Sequence, residues 1–235
     1  MSTELTARRI LYEDADVLLV DKPPGLVSHA TVDPRRDHLV AALRRLLRAR
    51  DGEAGHLGLV HRLDRDTSGV VLLSRRAEHD ATLGAAFAEH RIEKVYLAIV
   101  RAAGGASFPA GTIEQRAPLA PGRGPGGRTL VVRAGGKPSR TELRARLSEG
   151  ELVLVEARPR TGRTHQIRVH LAELGFPILG DALYGGAEPD VKRLLLHAWC
   201  LGLPHPRTGE PLRVVAPPPR AFRSRLPGLD ALEPG

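Results

Sequence analysis

Cysteine is nearly absent from this chain, which contains a single one, Cys200, among 235 residues. One thiol cannot build a disulfide framework or a cysteine-based zinc site. No apolar run approaches the roughly 20 residues that a membrane-spanning helix needs. The opening MSTELTARRI also lacks the apolar segment of a signal peptide. We therefore expect a soluble, cytoplasmic protein in which Cys200, flanked by apolar residues, is buried.

The motifs of several common enzyme classes are missing as well. The sequence has no Walker loop, no GxSxG elbow and no GxGxxG fingerprint. His165 and His170 are five residues apart, whereas two metal ligands on one helical face are four apart. Neither nucleotide binding nor metal-dependent hydrolysis is therefore indicated.

Basic residues are in clear excess over acidic ones. Lys and Arg total 35 against 27 Asp and Glu, which gives a net charge of +8 and an isoelectric point near 10.5. Such an excess favours a polyanionic partner, most often a nucleic acid. The alternative is an arginine-rich genome, because the chain uses Arg far more than Lys.

Strand and helix patterns are mixed along the chain, and hairpins outnumber βαβ units. The patterns predict helices at Leu39–Arg50, Glu78–Arg91 and Thr161–Gly175, and strands near Asp16–Gly25, Gly69–Ser74, Lys94–Val100, Thr129–Ala134, Thr141–Leu147 and Glu151–Arg158. Residues 101–128 are rich in Gly and Pro and are predicted to be a loop or a hinge between two lobes. The fold class is therefore α+β, with a mixed, largely antiparallel sheet and flanking helices.

The stretch HRLDRDTSG, residues 61–69, places five charged or titratable side chains between two apolar segments. Such a stretch is predicted to be a loop at the end of a sheet, where scaffolds carry function. Arg62 and Arg65 flank Asp64 and favour its charged form, which can act as a nucleophile or base. Gly69 can adopt a positive φ. The alternative is a charged turn with local ion pairs.

A second charged cluster is RTGRTHQIRVH, residues 160–170. It contains Arg160, Arg163 and Arg168 at the start of a predicted helix, together with His165. A helix dipole disfavours cations at this end, so a solvated helix face explains them poorly. Phosphate contacts, assisted by the N–H groups of the helix N-terminus, explain them better.

These motifs together resemble those of the RluA-type pseudouridine synthases. HRLDRDTSG resembles the active-site motif of that family, and VDKPPGLVSH resembles its opening motif. KVYLAIV resembles the strand that carries its tyrosine. GRTHQIRVHLAELGFPILGDALYG and LLLHAWCLGLPHP resemble its C-terminal motifs. The resemblance runs from about Ile10 to about Val215, and the motifs keep their order.

The resemblance implies a role for each matching residue. Asp64 matches the catalytic aspartate, Tyr96 the tyrosine that stacks on the base, and Arg168 the basic residue paired with the aspartate. Arg62 matches the arginine that fills the space of the flipped nucleotide, and Leu196 matches an apolar contact to the base. The residues expected to contact RNA are Arg62, Arg65, Arg163, His165 and Leu196. No metal or other cofactor is implied, because bonds are exchanged within one nucleotide.

The resemblance also implies the organisation of the chain and its partner. We expect a single catalytic domain over residues 1–235, with a pseudouridine-synthase-like fold and a central cleft, in which a hinge near 101–128 can join two lobes. The opening motif begins near residue 10, so no separate N-terminal RNA-binding domain is expected. The substrate is ribosomal or transfer RNA, and the protein is expected to act as a monomer.

Two other functions remain open from the sequence. One is a ribosome-assembly factor that binds RNA without modifying it, although Asp64, Tyr96 and Arg168 are all present. The other is a nucleic-acid glycosylase that uses Asp64 and Asp66 as a carboxylate pair. It would release free uracil, whereas a synthase releases nothing. Replacing Asp64 distinguishes the assembly factor from a synthase. A synthase would lose modification of the RNA and still bind it.

Overall fold

Each of the two compact units of the chain is assembled from two separate segments. The computed structural model describes residues 5–30, 37–102, 106–122 and 127–234. Unit 1 comprises Met1–Glu93 and Ala198–Pro217, and unit 2 comprises Lys94–His197 and Pro218–Gly235. Residues 101–128, where the sequence predicts that two lobes meet, lie within unit 2.

Unit 1 is built on a mainly antiparallel arrangement of strands. Its elements are β1 (Ile10–Glu13), β2 (Val17–Lys22), α1 (Leu39–Asp51), β3 (Gly58–Leu59), β4 (Ser68–Ser74), α2 (Ala77–Ala88), β10 (Leu196–Pro204, in this unit from Ala198) and β11 (Pro211–Val215). The strands lie in the order β1-β2-β4-β10-β11, and β3 also pairs with β4. The predicted strands at β2 and β4 and the helices α1 and α2 are confirmed.

Apolar side chains fix the interior of unit 1. All seven residues of β4 are buried, as are five of the six in β2. Helix α1 buries Leu39, Leu43 and Leu47 at helical spacing. His38 caps it, because its Nδ1 accepts a hydrogen bond from the N–H of Ala41 at 3.4 Å. Because β4 is buried along its whole length, the position of its first residues is fixed. The charged loop that precedes β4 is therefore fixed at that end.

Unit 2 is a second antiparallel arrangement with one longer helix against it. Its elements are β5 (Glu93–Arg101, in this unit from Lys94), β6 (Thr112–Pro121), β7 (Thr129–Val131), β8 (Lys137–Glu149), β9 (Leu152–Pro159), α3 (Gln166–Glu173) and α4 (Arg220–Arg223). The strands lie in the order β5-β9-β8-β6-β7. A bulge between Ala145 and Leu147 interrupts the β8–β9 register. Among the described residues, no helix is long and apolar enough to cross a membrane.

The fold class is confirmed: the sheet is mixed, mainly antiparallel, and flanked by a few helices. Two local predictions are wrong. Residues 112–121 form β6 rather than part of a loop or hinge. The predicted helix over 161–175 begins only at Gln166, and its N-cap residue is His165. Arg160 and Arg163 therefore precede the helix instead of lying in its first turn.

Candidate active site

The loop that carries Asp64 lies in unit 1, immediately before β4. Its apolar residue Leu63 is buried, while Arg62 and Arg65 are exposed and Asp64 is half-buried. The backbone turns here, with the N–H of Thr67 donating to the carbonyl of Asp64 at 3.2 Å. This alternation exposes both arginines to a ligand and leaves the carboxylate partly shielded from water.

Two buried polar side chains hold this loop. The hydroxyl of Ser28 donates to the carbonyl of Leu63 at 2.9 Å and accepts from its N–H at 3.1 Å. The ammonium of Lys22, which is fully buried, donates to the carbonyls of Arg65, Leu26 and Pro23 at 2.8–3.0 Å. Residues of the opening motif thus anchor the backbone on both sides of Asp64.

His61 and Arg65 each have a partner close to this loop. The Nε2 atom of His61 accepts the N–H of Leu72 at 2.9 Å, and its ring stacks on Phe87 at 4.4 Å. Arg65 donates two hydrogen bonds of 2.9 Å to Asp66. His61 therefore fixes the start of the loop, and the Arg65–Asp66 contact agrees with the interpretation of a charged turn for that part of it.

Tyr96 and Leu196 both belong to unit 2. Tyr96 is half-buried in β5 and is opposite Ala157 of β9. Leu196, the first residue of β10, is buried. A half-buried tyrosine in a strand can present the face of its ring and its hydroxyl to a ligand.

Arg168 is held by an acidic partner that sequence reasoning missed. Its Nε and Nη2 donate to the two carboxylate oxygens of Asp181 at 2.7 and 2.8 Å. Asp181 is fully buried, and the guanidinium lies 5.0 Å from the ring centroid of Tyr184. This bidentate geometry fixes the plane of the guanidinium. Asp181 and Tyr184 belong to the quoted GDALYG segment, and that motif was the only sequence signal for them.

Tyr184 also orients His165 at the start of α3. The Nδ1 of His165 and the hydroxyl of Tyr184 are 2.9 Å apart. The same hydroxyl accepts the N–H of Thr129 at 2.7 Å. His165 adopts a left-handed backbone conformation, with φ of 55°, which is uncommon for a residue other than glycine. Burial raises the pKa of Tyr184 above its usual 10.0, so the hydroxyl keeps the proton that it donates to the carbonyl of Thr129 at 3.2 Å.

Arg163 and Arg160 bond to the sheet next to α3. The Nε of Arg163 donates to the carbonyl of Pro138 at 3.0 Å, and Arg160 makes two bonds of 2.9 Å to Glu142. Together with the later start of α3, these contacts correct the expectation of three arginines grouped at a helix N-terminus. The remaining donors of each guanidinium can still contact a phosphate.

One group of acidic and histidine side chains has the separations of a metal site. Ligand atoms of Asp14, Asp16 and His205 lie within 4.8 Å of one another in unit 1. Asp16, however, accepts two hydrogen bonds from Arg207 at 2.7 and 2.5 Å and contacts His79 at 3.0 Å. Arg207 thus already balances the negative charge of Asp16. Its hydrogen bonds hold the pKa of the Asp16 carboxyl well below the usual range. The residues fit an ion-pair cluster better than a cation site.

Comparisons with known proteins agree with the motif assignment. The family model of the RNA pseudouridylate synthases matches residues 16–173. The ribosomal large subunit pseudouridine synthase D of Xanthomonas campestris is 39% identical over 94% of this chain and 69% of its own length. Synthase C of Salmonella typhimurium is 39% identical over 92% of this chain and 68% of its own length.

A solved structure supports the same conclusion. Human RNA pseudouridylate synthase domain containing 4 superposes with a TM-score of 0.75 at 28% identity, over 97% of this chain and 95% of that one. Motifs, sequence similarity and fold therefore lead to one conclusion: the chain is an isomerase that belongs to the RNA pseudouridylate synthase family.

Proposed function

We propose that this enzyme converts specific uridines of large-subunit ribosomal RNA into pseudouridine. The names of the relatives that it matches over more than two thirds of their length support this substrate class. The net charge of +8 supports a polyanionic substrate. The observation that carries the proposal is the anchored loop, in which Lys22 and Ser28 fix the backbone around a half-buried Asp64.

The chemistry follows from the matching residues. Asp64 acts on the sugar of the target uridine, and the N-glycosidic bond breaks. The detached uracil turns, and its C5 bonds to the same sugar carbon. Tyr96 stacks on the base and takes part in removing the C5 proton, and Arg168 has the role of the basic residue that the family motif implies. The product has the same mass as the substrate, because the reaction only rearranges bonds.

A uridine in a stacked RNA must leave the stack before its glycosidic bond can be reached. That step costs on the order of a few kcal/mol. Arg62 is exposed and two residues from Asp64, and a guanidinium can stack in the space that the base leaves. Arg62 therefore offsets part of the extrusion cost. We expect Arg62→Ala to lower kcat/KM without removing Asp64 from its place.

The experiment uses unmodified ribosomal and transfer RNA in separate reactions. Pseudouridines are mapped by carbodiimide labelling and reverse-transcription stops, with Asp64→Asn as the matched control because it keeps the size of the side chain. New stops in ribosomal RNA with the wild type alone support the proposal. Stops in transfer RNA alone would reassign the substrate, and free uracil would indicate a glycosylase. Tight binding without stops in either RNA would favour an assembly factor.

Cytoplasmic localisation and a monomeric state belong to the same proposal. Ribosomal RNA is made and assembled inside cells, so an enzyme that modifies it works in that compartment. Cell fractionation with a ribosomal marker tests the localisation. Light scattering coupled to gel filtration tests the state, with a mass near 25.4 kDa expected and twice that value contradicting it.

A further inference from the structure

One face of the sheet in unit 2 carries a dense set of arginines. Residues directly opposite each other on paired strands share a face of the sheet. The registers pair Arg116 with Arg140, Thr112 with Arg144, and Glu142 with Arg158. We call this surface the arginine face and define it by six residues: Arg116, Arg140, Arg144, Arg146, Arg158 and Arg160.

Three glutamates lie among these arginines, and each is already engaged by two of them. Arg160 donates to both oxygens of Glu142 at 2.9 Å, and Arg140 lies 3.5 Å from one of them. Glu114 pairs with Arg140 at 2.5 Å and with Arg116. The third, Glu156, accepts from Arg158 at 2.7 Å and pairs with Arg146. All six carboxylate oxygens are therefore occupied.

The arginines of this face outnumber the glutamates that pair with them among the described residues of unit 2. Each guanidinium has five N–H donors, and the exposed Arg116 uses only part of them on Glu114. Arg144 is exposed and forms no ion pair within the described part of the chain. Burial lowers the pKa of the nearby Lys94, and the positive charge of Arg160 lowers it further.

A groove runs along the same surface. Its volume is about 350 Å³, and its lining includes Arg144, Arg146, Arg158 and Arg160. Arg140 and Arg144 are four residues apart on β8, a distance of roughly 13 Å along a strand. A ligand that fits must be extended, rich in acceptor oxygens and negatively charged at intervals. A nucleic-acid backbone has these properties.

We propose that the arginine face is a second RNA-binding surface, which holds backbone phosphates of substrate nucleotides other than the target uridine. The inference rests on the proposed function, because it assumes an RNA substrate. None of its six arginines is among the residues that the family motifs assign to RNA contact or catalysis. Binding here adds affinity for a long RNA without reading its sequence, since phosphate contacts carry no base information.

The test compares two substrates with one set of variants. The long substrate is an unmodified large-subunit ribosomal RNA transcript, and the short one is a hairpin cut from it around the mapped target uridine. The double variant Arg116→Gln/Arg144→Gln removes two exposed charges and leaves every glutamate with an arginine. Arg220→Gln is the matched control, because Arg220 is an exposed arginine of the same unit outside the groove.

For the long transcript, we expect the double variant to bind on the order of tenfold more weakly near physiological salt, with the slope of log K against log salt reduced by about 1 for each arginine. The kcat on the short hairpin should not change. Equal affinity and slope for wild type and double variant would overturn the inference, as would an equal loss with Arg220→Gln. Absence of pseudouridine with the wild type would instead contradict the proposed function, and the binding data would still report on the arginine face.

Discussion

At the scale of single residues, buried titratable side chains decide how this protein responds to pH. His170 is fully buried in α3. Its ring nitrogens contact the hydroxyls of Ser139 at 2.8 Å and Thr141 at 2.9 Å. Burial lowers its pKa from 6.5 to about 4. The folded structure therefore keeps the ring neutral above about pH 4.

This shift predicts a loss of stability in acid. As the pH falls from about 6.5 to about 4, the unfolded chain binds a proton at His170 that the folded chain does not. The free energy of unfolding should therefore fall by up to about 3 kcal/mol over this window and be unaffected by His170 above it. Urea unfolding across the window checks this.

The matched variants isolate the contribution of His170. His170→Gln should be less stable near neutral pH, because it disturbs both hydroxyl contacts, yet its stability should depend less on pH. His29→Gln replaces an exposed histidine and should keep the pH dependence of the wild type. A His170→Gln curve parallel to that of the wild type would show that another group causes the acid loss.

The Arg168–Asp181 pair predicts a different effect. Asp181→Asn keeps the size of the side chain but removes the charge opposite a mostly buried guanidinium. We expect a loss of stability of about 3 kcal/mol and a fall in kcat with little change in the KM for RNA. Asp190→Asn is the control, because Asp190 pairs with Arg225 at 2.8 Å while 70% exposed, and should cost less than about 1 kcal/mol. Equal effects of both variants would remove Asp181 as the positioning residue of Arg168.

At the scale of elements, the end of the Asp64 loop depends on a glycine. The predicted positive φ of Gly69 is confirmed at 115°. A Cβ atom added there would lie 2.1 Å from the carbonyl oxygen and 2.6 Å from the nitrogen of Ala198 in β10. The loop can enter β4 at this angle only because β10 packs against a residue without a side chain.

Two glycine substitutions should therefore have opposite signs. Gly69→Ala is expected to destabilise the protein by about 2–4 kcal/mol, because both the backbone conformation and the contact with β10 oppose a methyl group. Gly84→Ala, in α2 where no atom lies within 4 Å of the added Cβ, should stabilise by about 0.5–1 kcal/mol. Thermal unfolding of both variants measures this, and a neutral Gly69→Ala would contradict the account of the packing.

The elements that sequence reasoning found are those with a strong local pattern. Helix α1 has apolar residues at helical spacing and is followed by Gly52, and β4 contains an unbroken apolar run, Val70–Leu73, that Gly69 precedes. Strand β6 was missed because Pro118 lies within it and Gly-rich segments surround it. Strand β10 was missed because His197 and Gly202 interrupt its apolar residues, so it shows neither an alternation nor an unbroken apolar run.

The same reasoning limits what could be predicted of the candidate site. Asp64, Tyr96 and Arg168 were identified by resemblance of their motifs. Asp181 follows Arg168 by 13 residues, beyond the reach of any helical or strand period. The role of Lys22 depends on three carbonyls that only the folded chain brings together.

At the scale of the whole molecule, net charge governs encounter with RNA, while local geometry governs the reaction. A charge of +8 attracts a polyanion over about a Debye length, and salt screens that attraction. Raising salt from about 50 to about 200 mM should increase the KM for ribosomal RNA at least about tenfold and change kcat less than about twofold. Steady-state kinetics over this range provide the test, and a falling kcat at constant KM would contradict it.

The path of the chain through its two units has a consequence for synthesis on the ribosome. Unit 1 needs residues 198–217, but the 104 residues from Lys94 to His197 are translated first. At about 5–20 residues per second, that interval lasts roughly 5–20 s. Throughout it, β4 of the nascent chain lacks β10, its neighbour in the finished sheet, and a strand edge without its partner invites aggregation. We therefore expect emerging chains of this enzyme to engage chaperones until β10 leaves the exit tunnel.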